Sequence, residues 1–287
     1  MGKSVEIYEV GPRDGLQNEA GIIPAADKIA FVDALSKVGF ARIEVASFVS
    51  PRRVPQMADG AEVMDGIRRA PGVRYVALVP NMRGLERALA ARADEVAVFG
   101  SASEGFSQAN LGCSIAQSLD RFAPVVAAAL SEGIAVRGYV SCVTDCPYDG
   151  PVEPAAVARM TEALLGLGCA EVSLGDTIGR AVPNRVTAML SAVLTVASAG
   201  RLAGHFHDTG GRALDNIDAA LEAGLRVVDA SAGGLGGCPF APGASGNVAT
   251  EAVAAHLAAR GYDTGLKSEA LSPAAGMARA LRERSKV

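Results

Sequence analysis

The chain of 287 residues contains no apolar run of the ~18 residues that a membrane-spanning helix needs. Its opening stretch, Met1-Gly2-Lys3-Ser4-Val5-Glu6, lacks the apolar region of a secretory signal, and a strand-like segment begins almost at once. Cysteine is sparse: five residues, an odd number at irregular spacing, form no disulfide framework. The expectation is a soluble, cytoplasmic protein with no membrane partner. Charge of one sign is lacking too, since 27 Lys and Arg face 31 Asp and Glu for a net charge of −4. With no basic stripe, nucleic acid is not expected as a partner. Lysine supplies only five of the basic residues, and none lies between Lys37 and Lys267.

What is present is ordinary globular material, 49% hydrophobic and 20% charged, long enough to bury one large core. Glycine is abundant, with 33 residues, which implies many tight turns or close backbone approaches. Short apolar runs of strand character occur at 5–10, 41–46, 73–79, 95–99, 135–140, 170–174, 202–207 and 226–230. Between them apolar residues recur at helical spacing, as in Ile115, Leu119, Phe122, Val126 and Leu130. Gly39, Gly133, Gly168 and Gly224 each follow such a segment and precede a strand, as helix-ending glycines do. A last helix near 247–260 and an extra C-terminal helix near 269–284 complete the pattern.

Eight strand–helix units with few alternating polar positions predict a closed (β/α)8 TIM barrel with an extra C-terminal helix. An open doubly wound sheet is the rival. No linker or low-complexity tract interrupts the chain, so residues 1–287 read as a single catalytic domain. No candidate strand carries a lysine, which removes a Schiff-base aldolase from consideration.

In such a barrel chemistry sits at the C-terminal strand ends, and the unusual polar residues fall there. Strand one runs into Arg13, Asp14 and Gln17; strand two carries Glu44 and ends at Ser47; strand six runs through Ser173 to Asp176; strand seven ends His205-Phe206-His207. Residues two apart on a strand share a face, so both imidazoles point into the barrel mouth. Two imidazoles, Asp14 and open positions suit a divalent cation, with the Asn247 amide oxygen able to complete the set. Oxygen ligands favour Mg²⁺ or Mn²⁺, whereas the imidazoles pull toward Mn²⁺ or Zn²⁺.

Arg13 is either half of an ion pair or a guanidinium aimed at a developing enolate or a carboxylate. Glu44, costly to bury alone, is expected to partner Arg13 and fix it. Asp176 is a turn residue or a general base. Cys142 and Cys146 lack zinc-ribbon spacing and read as plain thiols, as do Cys113 and Cys169. Cys238 differs: it lies in a glycine-rich loop beside the proposed site, where a thiol can relay a proton. Arg52 and Arg53 form a solvated pair or meet phosphates at the barrel rim. The Ser- and Gly-rich segment 101–112 reads as a mobile or a rigid rim loop.

The run Glu9-Val10-Gly11-Pro12-Arg13-Asp14-Gly15-Leu16-Gln17-Asn18-Glu19 resembles the hydroxymethylglutaryl-CoA lyase family. So do Ser47-Phe48-Val49-Ser50-Pro51 and residues 137–142, 173–179, 205–209 and 233–251. Arg-Asp with His-x-His marks the wider metal-dependent lyase and acyl-transferase barrels; Gly234-Leu235-Gly236-Gly237-Cys238-Pro239 with Gly243-Ala244-Ser245-Gly246-Asn247 is more specific to the lyase. The resemblance implies cleavage of (S)-3-hydroxy-3-methylglutaryl-CoA, an acyl-CoA substrate, to acetyl-CoA and acetoacetate with Mg²⁺ or Mn²⁺. It implies that Asp14, His205, His207 and Asn247 hold the metal and that Arg13 stabilises the enolate. Glu44, Asp176 and Cys238 then serve orientation and proton transfer, while Gln17, Ser47 and Ser173 line the site. Proton removal falls to Asp176 or His205. Family members are commonly dimers or larger, so a homo-oligomer is expected. Where relatives usually carry Tyr after His-Asp-Thr, this chain has Gly210. That departure lends slight support to an alternative, a lyase for a related or longer-branched 3-hydroxyacyl-CoA; the condensation of acetyl-CoA with 2-oxo acids, and a barrel kept only as a binding module, are further rivals.

Overall fold

Every strand-like run in the sequence becomes a strand, and all eight pair in parallel. In the computed structural model, which describes residues 3–238 and 241–286 (backbone alone at 3, 237–238 and 241–245), the strands are β1 Glu6–Glu9, β2 Arg42–Ser47, β3 Arg74–Leu78, β4 Glu95–Ser101, β5 Ala135–Ser141, β6 Glu171–Asp176, β7 Leu202–Phe206 and β8 Val227–Ala230. They close in sequence order, with Tyr8 of β1 opposite Asp229 of β8. An open sheet cannot pair its first strand with its last, so the doubly wound alternative is excluded.

Helices cover the outside: α1 Ala25–Leu35, α2 Gly60–Gly66, α3 Met82–Ala90, α4 Glu104–Leu111, α5 Ile115–Ser131, α6 Pro154–Leu167, α7 Pro183–Val193, α8 Ala213–Glu222, α9 Thr250–Ala259 and α10 Ser268–Ser285. Local chemistry sets their ends. Ser114 and Gln117 form a reciprocal capping box at the start of α5, and α6 opens with Pro154 and stops at Gly168 in the left-handed conformation. The extra helix α10 packs on α1 and on the turn Ala232–Gly234 after β8.

Three expected boundaries shift. β7 ends at Phe206, and His207 instead forms an isolated bridge with Asn247. That bridge, with a second between Ser231 and Ala249, delays α9 to Thr250. The segment expected as a rim loop holds α4, capped by the Ser103 hydroxyl at one end and by left-handed Gly112 at the other.

The layer between strands and helices is apolar, with Phe31, Leu35, Met64, Phe122 and Leu164 inaccessible to solvent. The barrel interior is not. Arg42 pairs with Glu6 at 2.7 Å, Glu171 at 3.0 Å and Glu95 at 3.5 Å, while Arg137 meets Glu171 at 2.9 Å and lies 3.8 Å from the Tyr8 ring centroid. Buried carboxylates tolerate this position only while the guanidiniums neutralise them. Arg42→Ala is therefore expected to destabilise the fold by about 3–5 kcal/mol, read by urea unfolding; a loss within about 0.5 kcal/mol, the range of an ordinary surface substitution, would contradict the network's role.

Candidate active site

The C-terminal ends of the strands open into a cavity of about 880 Å³. After β1 the chain makes one wide helical turn, Gly11–Gly15, which turns Arg13 and Asp14 toward the barrel axis. Arg13 donates to Glu44 Oε2 through Nε at 2.8 Å, and a terminal nitrogen reaches Asp14 Oδ1 at 2.6 Å. Glu44 is fully buried at a register shift between β2 and β3, an irregularity that aims it inward beside the site. It also accepts the Tyr139 hydroxyl at 3.1 Å. The expected Arg13–Glu44 pairing is thus present in the structure.

Opposite, β7 delivers His205 and its end delivers His207. One carboxylate oxygen of Asp14 and one ring nitrogen each of His205 and His207 lie within 4.8 Å of one another, the only such cluster among the described residues that could hold a metal ion. His205 Nδ1 lies 3.1 Å from Asp229 Oδ2, so Nε2 is its other nitrogen. His207 Nδ1 is buried with no hydrogen-bond partner. Asn247 reaches the cluster from the far side, its amide nitrogen 2.7 Å from Asp14 Oδ2 and 3.3 Å from the Leu235 carbonyl. Gly236 permits that approach: its φ is +97°, and a Cβ there would sit 2.8 Å from Asn247 Nδ2.

The electrostatics follow from burial and charge. Burial opposes ionisation of Asp14, yet Arg13 and the two imidazoles hold its carboxyl well below the usual range. Burial, with His205 nearby, pushes His207 down to about 4, leaving it neutral at pH 7. For His205 burial is outweighed by Asp229 and Asp14, and its pKa rises. Burial lifts Asp176 to about 6.

Arg13, Asp14, Gln17, His205 and His207 line the cavity. Glu44, Ser47, Ser173, Asp176 and Asn247 stand behind that lining. Ser47 Oγ accepts the Val49 amide at 3.4 Å, Ser173 donates to Asp229 at 2.8 Å, and the Asp176 carboxylate accepts the amides of Arg180 and Ala181 at 3.2 and 3.0 Å. The serines expected to touch substrate and the carboxylate expected as a base are thus occupied by the protein's own loops and network. The side chain of Cys238 lies outside the described residues. Arg53 lines the rim and Arg52 does not. Gly210 is absent from the lining, and a Cβ there would come within 2.8 Å of the Gly179 carbonyl oxygen, so its smallness serves loop packing.

Sequence reading passed over Arg137 and Asp229, which brace His205. The signal was there: each is a charged residue inside an apolar strand, as Glu44 is.

Fold and site define a class, a (β/α)8 barrel with a carboxylate–imidazole cluster and a buried arginine at its catalytic end. Residues 4–277 match the HMGL-like family, and the chain belongs to it. It is 54% identical to the mitochondrial hydroxymethylglutaryl-CoA lyase of Bos taurus over 94% of this chain and 83% of that one. An HMG-CoA lyase structure from Brucella melitensis is 63% identical with a TM-score of 0.97, covering 98% of this chain and 99% of that chain. Another, from Acinetobacter baumannii in complex with coenzyme A and 3-methylmalate, is 40% identical with a TM-score of 0.92, covering 98% and 92%.

The Asp229 carboxyl is held down at about 2 against burial, by the Arg137 charge and the His205 hydrogen bond. A depressed pKa contributes stability above the ordinary carboxylate value and loses it as pH falls toward the folded value. Thermal melts should therefore show Asp229→Asn less stable than wild type by about 2–3 kcal/mol at neutral pH, the gap closing between about pH 4 and pH 2. A gap independent of pH would contradict this reading.

Proposed function

We infer that the protein is a hydroxymethylglutaryl-CoA lyase, a carbon–carbon lyase that cleaves (S)-3-hydroxy-3-methylglutaryl-CoA to acetyl-CoA and acetoacetate with Mg²⁺ or Mn²⁺. The observation that carries this reading is the convergence of Asp14, His205 and His207 within 4.8 Å, beside the buried Arg13 on one cavity wall.

The donors fit a divalent ion. Asp14 is ionised, His207 is neutral with an unpartnered Nδ1, and His205 has Nδ1 engaged by Asp229, which leaves Nε2 as the ligand atom. With its amide turned over, Asn247 would face Asp14 with its oxygen and would serve as a fourth ligand. Held by Asp14, His205 and His207, a divalent ion would supply Lewis acidity to a substrate hydroxyl. Cleavage then moves the hydroxyl proton to a base, the O–H pair into the ketone carbonyl, and the C2–C3 pair onto the thioester as an enolate. Arg13 neutralises the enolate oxygen, held for that task by Glu44 and Tyr139. Of the two candidate bases, His205 has no free lone pair once Nε2 ligates the ion, and Asp176 does not line the cavity, so neither is assigned the hydroxyl proton. Asp176 acts instead as an anchor for the loop after β6. Cys238, in the hairpin between β8 and Asn247, protonates the enolate carbon.

Gln17 Oε1 is buried and unpartnered on the cavity wall, so it accepts a substrate donor. Arg53 at the rim is placed for a coenzyme phosphate. The position of Gly210 behind the lining withdraws its support for a longer-branched substrate. Among the described residues no helix is long and apolar enough to cross a membrane. Cys113, Cys142, Cys146 and Cys169 are free thiols, which supports a reducing, cytoplasmic setting. The resemblance supports a homo-oligomer, which light scattering reads directly.

Protein stripped with EDTA should form no acetoacetate from 3-hydroxy-3-methylglutaryl-CoA, and Mg²⁺ or Mn²⁺ should restore it to wild type but not to Asp14→Ala. Metal-independent product would reject the site. Arg13→Met should cut turnover about 10²–10³-fold with metal affinity retained. Cys238→Ser should likewise lower turnover far more than metal affinity, and unchanged turnover removes it from proton transfer.

A further inference from the structure

His205 can present a lone pair to the cavity from Nε2 only if its ring proton sits on Nδ1. We propose that Asp229 is the positioning residue that fixes this tautomer, and that Arg137 in turn dictates which way Asp229 acts; this rests on the reading of His205 as a metal ligand. Asp229 is fully buried on β8, stands behind the cavity lining, and is directly opposite His205 in the β7–β8 register.

Its two oxygens have separate partners. Oδ1 accepts from an Arg137 terminal nitrogen at 2.7 Å, and Oδ2 accepts from Ser173 Oγ at 2.8 Å and faces His205 Nδ1 at 3.1 Å. An ionised carboxylate accepts only, so the imidazole must donate from Nδ1. Arg137 is itself enclosed: it is inaccessible to solvent, stacked 3.8 Å from the Tyr8 ring centroid, hydrogen-bonded to the Tyr139 hydroxyl and ion-paired with Glu171.

This arrangement makes the isosteric Asp229→Asn variant informative. An amide has one oxygen and one NH₂. Arg137 offers only donors, so the amide oxygen must stay on the Arg137 side, since two donors face to face in a dry interior are costly. The NH₂ then turns to Ser173 and His205. His205 Nδ1 must accept, its proton moves to Nε2, and the lone pair facing the cavity is lost. A purely structural Asp229 would cost stability in this variant without moving the proton.

The test is nitrogen NMR of the imidazoles in ¹⁵N-labelled protein without metal, at a pH well above the imidazole range, beside Mn²⁺ titration of both proteins. The expected result is Nδ1–H on His205 in wild type and Nε2–H in Asp229→Asn, with Mn²⁺ binding about 10–100-fold weaker in the variant. Nε2–H in wild type, or Nδ1–H retained in a folded variant, overturns the proposal. If the variant does not fold, the wild-type tautomer alone decides. A wild type that shows Nδ1–H yet binds no Mn²⁺ supports the action of Asp229 on His205 and refutes the metal reading instead.

Discussion

The ion pair between Arg137 and Asp229, buried at the heart of the barrel, is the constraint on which the site depends. Their atoms meet at 2.7 Å with neither side chain accessible to solvent. Removing two charges from water is expensive, and such a pair contributes little net stability compared with apolar packing. Its value here is positional. From Asp229 one hydrogen bond reaches His205, and from Arg137 a second reaches the Tyr139 hydroxyl at 3.2 Å, which in turn bonds Glu44, the partner of Arg13. Arg13 closes the path on Asp14. Two of the three clustered residues, His205 and Asp14, are thus tied to each other by side chains through the barrel interior, from β7 to the turn after β1.

The same network explains why the interior carries charge at all. A barrel of this size is ordinarily filled by branched apolar side chains. Here the lower interior holds Arg42 with Glu6, Glu95 and Glu171, and Glu171 also meets Arg137. The Arg42 and Arg137 guanidiniums lie 4.8 and 3.8 Å from the Tyr8 ring centroid, which keeps the charged groups packed. The polar layer above is therefore mounted on this network, which holds His205 and Arg13 in fixed relation.

Much of this was legible in the sequence. Strand runs, helix-ending glycines and the crowding of Asp14, Glu44, Asp176, His205 and His207 at strand ends all point to the barrel and its mouth. Glu44 within Ile43-Glu44-Val45 announces a buried carboxylate in need of a cation, and Arg13 supplies it. Position along the chain could not tell which strand-end residues face the cavity. Ser47, Ser173 and Asp176 share the C-terminal ends with Arg13 and Gln17, but their polar atoms are claimed by a backbone amide, a neighbouring carboxylate and a loop. Whether His207 ends the strand or bridges to Asn247 depends on a residue forty positions away.

Apolar strand runs, helix-ending glycines and the His-x-His spacing are local properties, so the sequence by itself determined the order of elements, the parallel barrel and the nature of the reactive groups. Only the tertiary structure decided that Arg137, on β5, would hold Asp229, on β8, 92 residues further on, and that Asp229 would hold His205. The reason is closure. Joining β8 to β1 brings interior side chains from β2, β5, β6, β7 and β8 into one hydrogen-bonded layer, and no periodicity in a linear chain records which of them will meet.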